Sequence, residues 1–169
     1  MEIREPTVED AEAIRAVHRA SIEGLGPQAY DRRQVTAWAR GCRSADYAAT
    51  IEAAETVCLV ADRDGEVIGF GTLRAVAPDG YVSDPDGEVT AVYVSPAVAR
   101  EGVGTGLYAA IERRARSRSI ETLGLSASLN AVPFYQAQGY DRIREYDHEF
   151  SSHEGTGVTG TIVEMTKKL

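Results

Sequence analysis

The chain has few of the residues that staple, anchor or attract polyanions. It has two cysteines in 169 residues, Cys42 and Cys58. Two are too few for a disulfide scaffold and read as reduced thiols, so a cytoplasmic setting is the expectation. There are two lysines, Lys167 and Lys168, and 18 basic residues in all stand against 26 acidic ones, a net charge of −8. A surface of that sign repels polyphosphate, and no nucleic-acid partner is expected. The one basic cluster, Arg113, Arg114, Arg116 and Arg118, reads as a solvated helix end. No apolar run approaches the ~20 residues that cross a bilayer. The start, Met1-Glu2-Ile3-Arg4-Glu5, lacks the basic-then-apolar pattern of a secretory leader, so no membrane partner is expected. His18, His148 and His153 have no ligand spacing, and no metal site is expected.

What is present is an ordinary globular composition, 43% hydrophobic and 26% charged, with a length that suits one domain over residues 1–169. After a short extended segment at Ile3–Glu5, Thr7 and Asp10 have capping-box spacing. Ala11, Ile14, Val17 and Ile22 then recur at helical period, predicting a helix over Val8–Ile22 that is punctuated by Gly24, Gly26 and Pro27. Further helices are expected over Arg32–Ala39 and near Ala45–Ala54. Val57–Ala61, the turn Asp64-Gly65 and Glu66–Arg74 read as a hairpin. A turn-rich connection then leads to a strand, Glu88–Val94. Beyond a glycine-rich loop come a helix from Leu107 to Ala115, a strand at Thr122–Ser126 and a short helix at Val132–Gln138. Two last strands, Tyr140–Glu149 and Gly160–Thr166, complete the chain.

The chemistry concentrates in the loop Ala99-Arg100-Glu101-Gly102-Val103-Gly104-Thr105-Gly106, between a strand and a helix. A helix start exposes unpaired N–H groups and partial positive charge, and glycine lets a phosphate reach them. Several charge-assisted N–H bonds hold a diphosphate without a lysine. The loop is not the dinucleotide fingerprint, because Leu107 occupies the sixth place. Nor is it a P-loop, which needs Gly-Lys-Ser/Thr. A full Gly-x-Gly-x-x-Gly does occur at Gly155–Gly160, but it leads into a strand and reads as a hairpin turn.

Two segments together resemble the GNAT superfamily of acyl-CoA N-acyltransferases. One is Ala99-Arg100-Glu101-Gly102-Val103-Gly104, which departs from the usual Gln or Arg at its first place. The other is Asn130-Ala131-Val132-Pro133-Phe134-Tyr135, followed by Gln138-Gly139-Tyr140. The resemblance implies an α/β (α+β) fold with a mixed, mostly antiparallel sheet splayed between its fourth and fifth strands and helices on both faces. It implies an N-acetyltransferase that moves acetyl from acetyl-CoA, its cosubstrate, directly to a primary amine of a small molecule or protein. A homodimer is compatible with it. A non-catalytic acyl-CoA-binding regulatory module is the alternative.

Within that resemblance the diphosphate falls to the Ala99–Gly106 loop. The pantetheine arm falls to Asn130 and to main-chain groups of Val92, Tyr93 and Val94 on the splayed strand. Glu88, at the start of that strand and flanked by apolar Val89 and Ala91, is the expected base, directly or through a water; Asp86 is a second candidate. Tyr135 is the expected acid toward the sulfur, while Phe134 reads as core. Tyr30, Trp38 and Tyr81 could line an acceptor pocket, although aromatic residues in such places more often belong to the core; Asp79, Asp84 and Asp86 could attract a cationic amine, and a solvated loop accounts for them equally well.

Overall fold

A computed structural model describes all residues, 1–169. The chain begins with β1 (Glu2–Arg4), α1 (Ala11–Leu25), α2 (Arg32–Arg40) and α3 (Tyr47–Glu52). It continues with β2 (Thr56–Arg63), β3 (Glu66–Arg74), β4 (Gly87–Val94), α4 (Val103–Ser117), β5 (Thr122–Ser128), α5 (Val132–Ala137), β6 (Asp141–Glu149) and β7 (Thr159–Lys168). The strands form one seven-stranded sheet in the order β1-β2-β3-β4-β5-β7-β6. Every pairing is antiparallel except β4–β5.

Period-two alternation divides the core between the two faces. Val57, Leu59 and Ala61 of β2 pack with Leu107 and Ile111 of α4, and with Leu123, Leu125, Val163 and Met165. Cys58 and Val60 point the other way, toward Ile14 and Val17 of α1. A third cluster joins Ile22, Tyr30, Val35 and Phe150. Both cysteines are buried and unpaired.

Several boundaries differ from the sequence expectation, each for a local reason. The first helix opens as a 3₁₀ turn over Val8–Asp10, where the Thr7 N–H donates to the Asp10 carboxylate. It then runs through Gly24 to Leu25. Gly24 lies inside it, at a contact point where a Cβ would lie 2.5 Å from Pro96 Cγ, so this glycine serves packing and is not a helix stop. The helix after the glycine loop begins at Val103, not Leu107, so Gly104 and Gly106 belong to its first turn. The third helix is shorter than its alanine content suggested, Tyr47–Glu52, with the Asp46 carboxylate accepting the Ala49 N–H at its start. Gly155 and Gly157 sit at φ 63° and 65° in the β6–β7 connection, as the turn reading requires.

Candidate active site

The site arises where the sheet comes apart. β4 and β5 pair only at Gly87↔Leu123 and Glu88↔Gly124, after which the strands diverge. Ser95 donates its N–H to the Ile68 carbonyl at 2.8 Å, extending the β3–β4 ladder. Alternation along β4 therefore turns the main-chain groups of Tyr93 toward β3 and those of Val92 and Val94 away from it. The Val92 and Val94 groups face the gap unpaired. Tyr93, named with them from the sequence, contributes only its ring, because its N–H and C=O are committed to β3.

The gap opens into a cleft of about 1030 Å³, lined by β4, the start of α4, the ends of β5 and α5, and side chains from α1, α2 and β6. At its floor the α4 start carries no side-chain cap. The N–H groups of Arg100, Gly102, Val103, Gly104 and Thr105 have no partner in the protein. Arg100 and Gly102 sit at φ 67° and 87°, a left-handed pair that curls these amides inward. Not every residue of the loop contributes. The amides of Ala99, Glu101 and Gly106 bond to Pro96, Val98 and Gly102 carbonyls, and the Glu101 carboxylate pairs outward with Arg63 at 3.2 Å. The turn geometry that shapes the loop thus uses the N–H groups of these three.

Across the cleft, Asn130 Oδ1 is buried with no hydrogen-bond partner. That leaves an acceptor aimed at a donor the protein does not provide. Tyr135 is only 7% exposed, yet its hydroxyl has no protein partner and the residue lines the cleft. Burial, reinforced by Tyr93 and Tyr140, holds its proton well above the ordinary phenol range. Phe134 is half-buried: it packs against the main core, as expected, and also lines the cleft beside Gly104. An amide-lined floor and an orphaned amide oxygen fit a ligand with a diphosphate at one end and an amide-bearing arm in the middle.

Glu88 lines the far end of the cleft, its side chain 14% exposed. Its carboxylate accepts a hydrogen bond from the Tyr81 hydroxyl and pairs with Arg74 Nη1 at 3.3 Å. Asp86, the other base candidate, is elsewhere: its carboxylate accepts the N–H groups of Glu121 and Thr122 and fixes the start of β5. Tyr30 is structural too, donating to the Thr161 carbonyl and accepting from the Leu129 N–H. Trp38 does line the cleft, stacked on Phe150 at 5.7 Å. Sequence reasoning missed Arg74, Ser126, Tyr146 and His148. Ser126 and Tyr146 share a 2.6 Å hydrogen bond beside Glu88's end of the cleft, and burial depresses the His148 imidazole. For Ser126, Tyr146 and His148 the signal was alternation in β5 and β6, whose polar face has no covering helix; Arg74, at the end of β3, carried none. No group of three His, Cys, Asp or Glu is placed to hold a metal ion, and no helix is long and apolar enough to cross a membrane.

The mixed sheet, its parting at the one parallel seam and the uncapped helix aimed into the gap define the N-acyltransferase fold of the α/β class. The chain belongs to the GNAT acetyltransferase family: the Acetyltransferase (GNAT) family profile matches residues 24–140. A GCN5-related N-acetyltransferase from Rhodopseudomonas palustris is 30% identical, with a TM-score of 0.84 over 99% of this chain and 95% of that one. The PaiA N-acetyltransferase of Thermoplasma acidophilum, solved with coenzyme A, is 22% identical with a TM-score of 0.76, covering 99% and 98%. YncA of Salmonella typhimurium, solved with its cofactor acetyl-CoA, is 22% identical with a TM-score of 0.69, covering 100% and 94%. No curated protein matches the chain in sequence.

Proposed function

We propose that this protein transfers an acetyl group from acetyl-CoA directly to a primary amine, working as a single domain over residues 1–169. The observation that carries the reading is the set of five unpartnered amides, at Arg100 and Gly102–Thr105, at the floor of a cleft that also holds an orphaned Asn130 Oδ1. The amides would hold the diphosphate. Asn130 and the unpaired groups of Val92 and Val94 would hold the pantetheine arm in place of the missing strand. Coenzyme-bound relatives with the same fold support this assignment.

Acetyl-CoA supplies an activated thioester carbonyl, and the remaining work belongs to the chain. Glu88 would take a proton from the acceptor, since an ammonium of pKa ~10.4 offers little free base at neutral pH. A free N–H on β4 would meet negative charge growing on the carbonyl oxygen. Tyr135, kept protonated by burial, would donate to the departing sulfur. Its raised proton affinity favours a shared hydrogen bond while charge develops over complete early transfer.

One observation favours a second reading, an acyl-CoA-binding module without transfer: Glu88 is already engaged by Tyr81 and Arg74. A panel of amines incubated with saturating acetyl-CoA and read by free-thiol release separates the two. Thiol release with at least one amine is expected. Tight acetyl-CoA binding with no release across the panel establishes the module instead.

A further inference from the structure

The buried carboxylate of Glu164 has no part in the chemistry above. It sits in the middle of β7 at 1% exposure, the only acidic residue buried so completely. Strand register puts Glu88, Ser126, Glu164, Arg144 and Tyr146 on one face of the sheet, through the pairs Glu88↔Gly124, Ser126↔Glu164, Arg144↔Glu164 and Tyr146↔Ile162. The opposite face carries Leu123, Leu125, Val163 and Met165, packed with α4. An apolar residue at position 164 would cost less to bury than a charge, so the carboxylate calls for a reason beyond packing.

Its hydrogen bonds supply that reason. Glu164 accepts the main-chain N–H of Val82 at 3.1 Å and of Ser83 at 3.0 Å, and pairs with Arg144 Nε at 3.0 Å. Arg144 in turn donates to the Gly80 carbonyl at 3.2 Å. These bonds surround Tyr81 on both sides in the β3–β4 connection. Tyr81 is the residue whose hydroxyl reaches Glu88, whose other oxygen meets Arg74 from β3. Burial alone would lift the Glu164 carboxyl, but the Ser83 and Val82 amides and Arg144 outweigh it and hold the group below its ordinary range. The clamp therefore stays charged at neutral pH.

We propose that Glu164 is a positioning residue: by fastening the Gly80–Ser83 segment to β6 and β7 it holds the Tyr81 hydroxyl on Glu88 and so fixes the orientation of the Glu88 carboxylate toward the cleft. The inference rests on Glu88 being the base, and the two fail separately. Undiminished turnover in Glu88→Gln removes the base, whereas the titration of Glu88 reports on the positioning without any acceptor.

The experiment follows the Glu88 side-chain carboxyl by carbon NMR across pH in the full-length protein, in wild type, Tyr81→Phe, Glu164→Gln and Arg144→Gln. The groups facing Glu88 are the Arg74 guanidinium and the Tyr81 hydroxyl, with Tyr146 beyond Ser126. Removing a hydrogen bond to a charged carboxylate disfavours the charged form. The midpoint is therefore expected to rise in Tyr81→Phe relative to wild type. Glu164→Gln and Arg144→Gln should shift it in the same direction, with faster amide exchange at Val82 and Ser83. Arg144, 42% exposed, loosens the clamp from outside and serves should Glu164→Gln not fold. An unmoved midpoint in the clamp variants, with only a lower melting temperature, makes Glu164 a structural prop and overturns the inference. So does an unmoved midpoint in Tyr81→Phe.

Discussion

At the scale of the residue, the two candidate catalytic groups differ in how much the protein has invested in them. Glu88 is held by a tyrosine and an arginine, and that preparation predicts sensitivity. Glu88→Gln keeps the shape and removes the basicity. Its turnover is expected to fall on the order of 100-fold or more, the usual share of a general base, with acetyl-CoA affinity by calorimetry unchanged. Tyr135 has no partner of its own, so Tyr135→Phe disturbs nothing else. It should lower kcat by roughly ten- to a hundredfold and affinity by less; a loss confined to affinity would make the hydroxyl a binding contact. Both line the cleft, and both could be named as candidates from the sequence because the family resemblance places them on or beside its two motifs. The groups that prepare Glu88 were not. Arg74 and Tyr81 reach it from another strand and from a loop, and nothing in linear order announces such an approach. Asp86 shows the converse error: two residues from Glu88 and of the same chemistry, it turns to cap β5.

At the scale of the element, the proposed function gives the anion to the start of α4. A side chain at Gly104 would itself find room, with Phe134 and Val94 at 3.4 and 3.6 Å from a built Cβ. Gly104→Glu should therefore fold, yet it sets a carboxylate among the amides that the proposed function gives to phosphate. Coenzyme affinity is expected to drop by at least about 100-fold in calorimetry, since like charges at a desolvated site cost several kcal/mol. Gly102→Ala acts differently. At φ 87° a Cβ is strained, and about 1 kcal/mol of stability should be lost in urea unfolding even without ligand. The helix and its polarity were visible from the glycine spacing. Its true start at Val103 was not, because glycines read as loop until tertiary contacts hold them in a helical turn. Gly24 misleads in the same way: α1 runs through it, and the glycine leaves room for Pro96.

At the scale of the whole molecule, the order of strands and helices followed from periodicity, and the mixed sheet from the family resemblance that the two motifs carry. The polar face of β5, β7 and β6, which no helix covers, did not, since a strand's alternation does not say what covers it. One titration belongs to the fold as a whole. His18 sits between the Tyr47 hydroxyl, 2.8 Å away, and the Tyr93 ring, and burial lowers its pKa to about 4. A depressed histidine stays neutral in the folded state while the unfolded chain takes up a proton below ~6.5. Its stabilising contribution is therefore whole above that pH and is lost as pH falls toward about 4. Wild type should lose roughly 2–3 kcal/mol over this window beyond what a His18→Gln variant loses, measured by urea midpoints at each pH.

The two-residue seam between β4 and β5 also has a mechanical consequence. It is the narrowest bridge in the sheet, joining a four-strand panel to a three-strand one like a hinge with two pins. Any molecule that settles into the opening as a surrogate strand completes the ladder and welds the panels together. Occupancy should therefore be readable far from the ligand, as slowed exchange of β5 amides and a sharper, later melt.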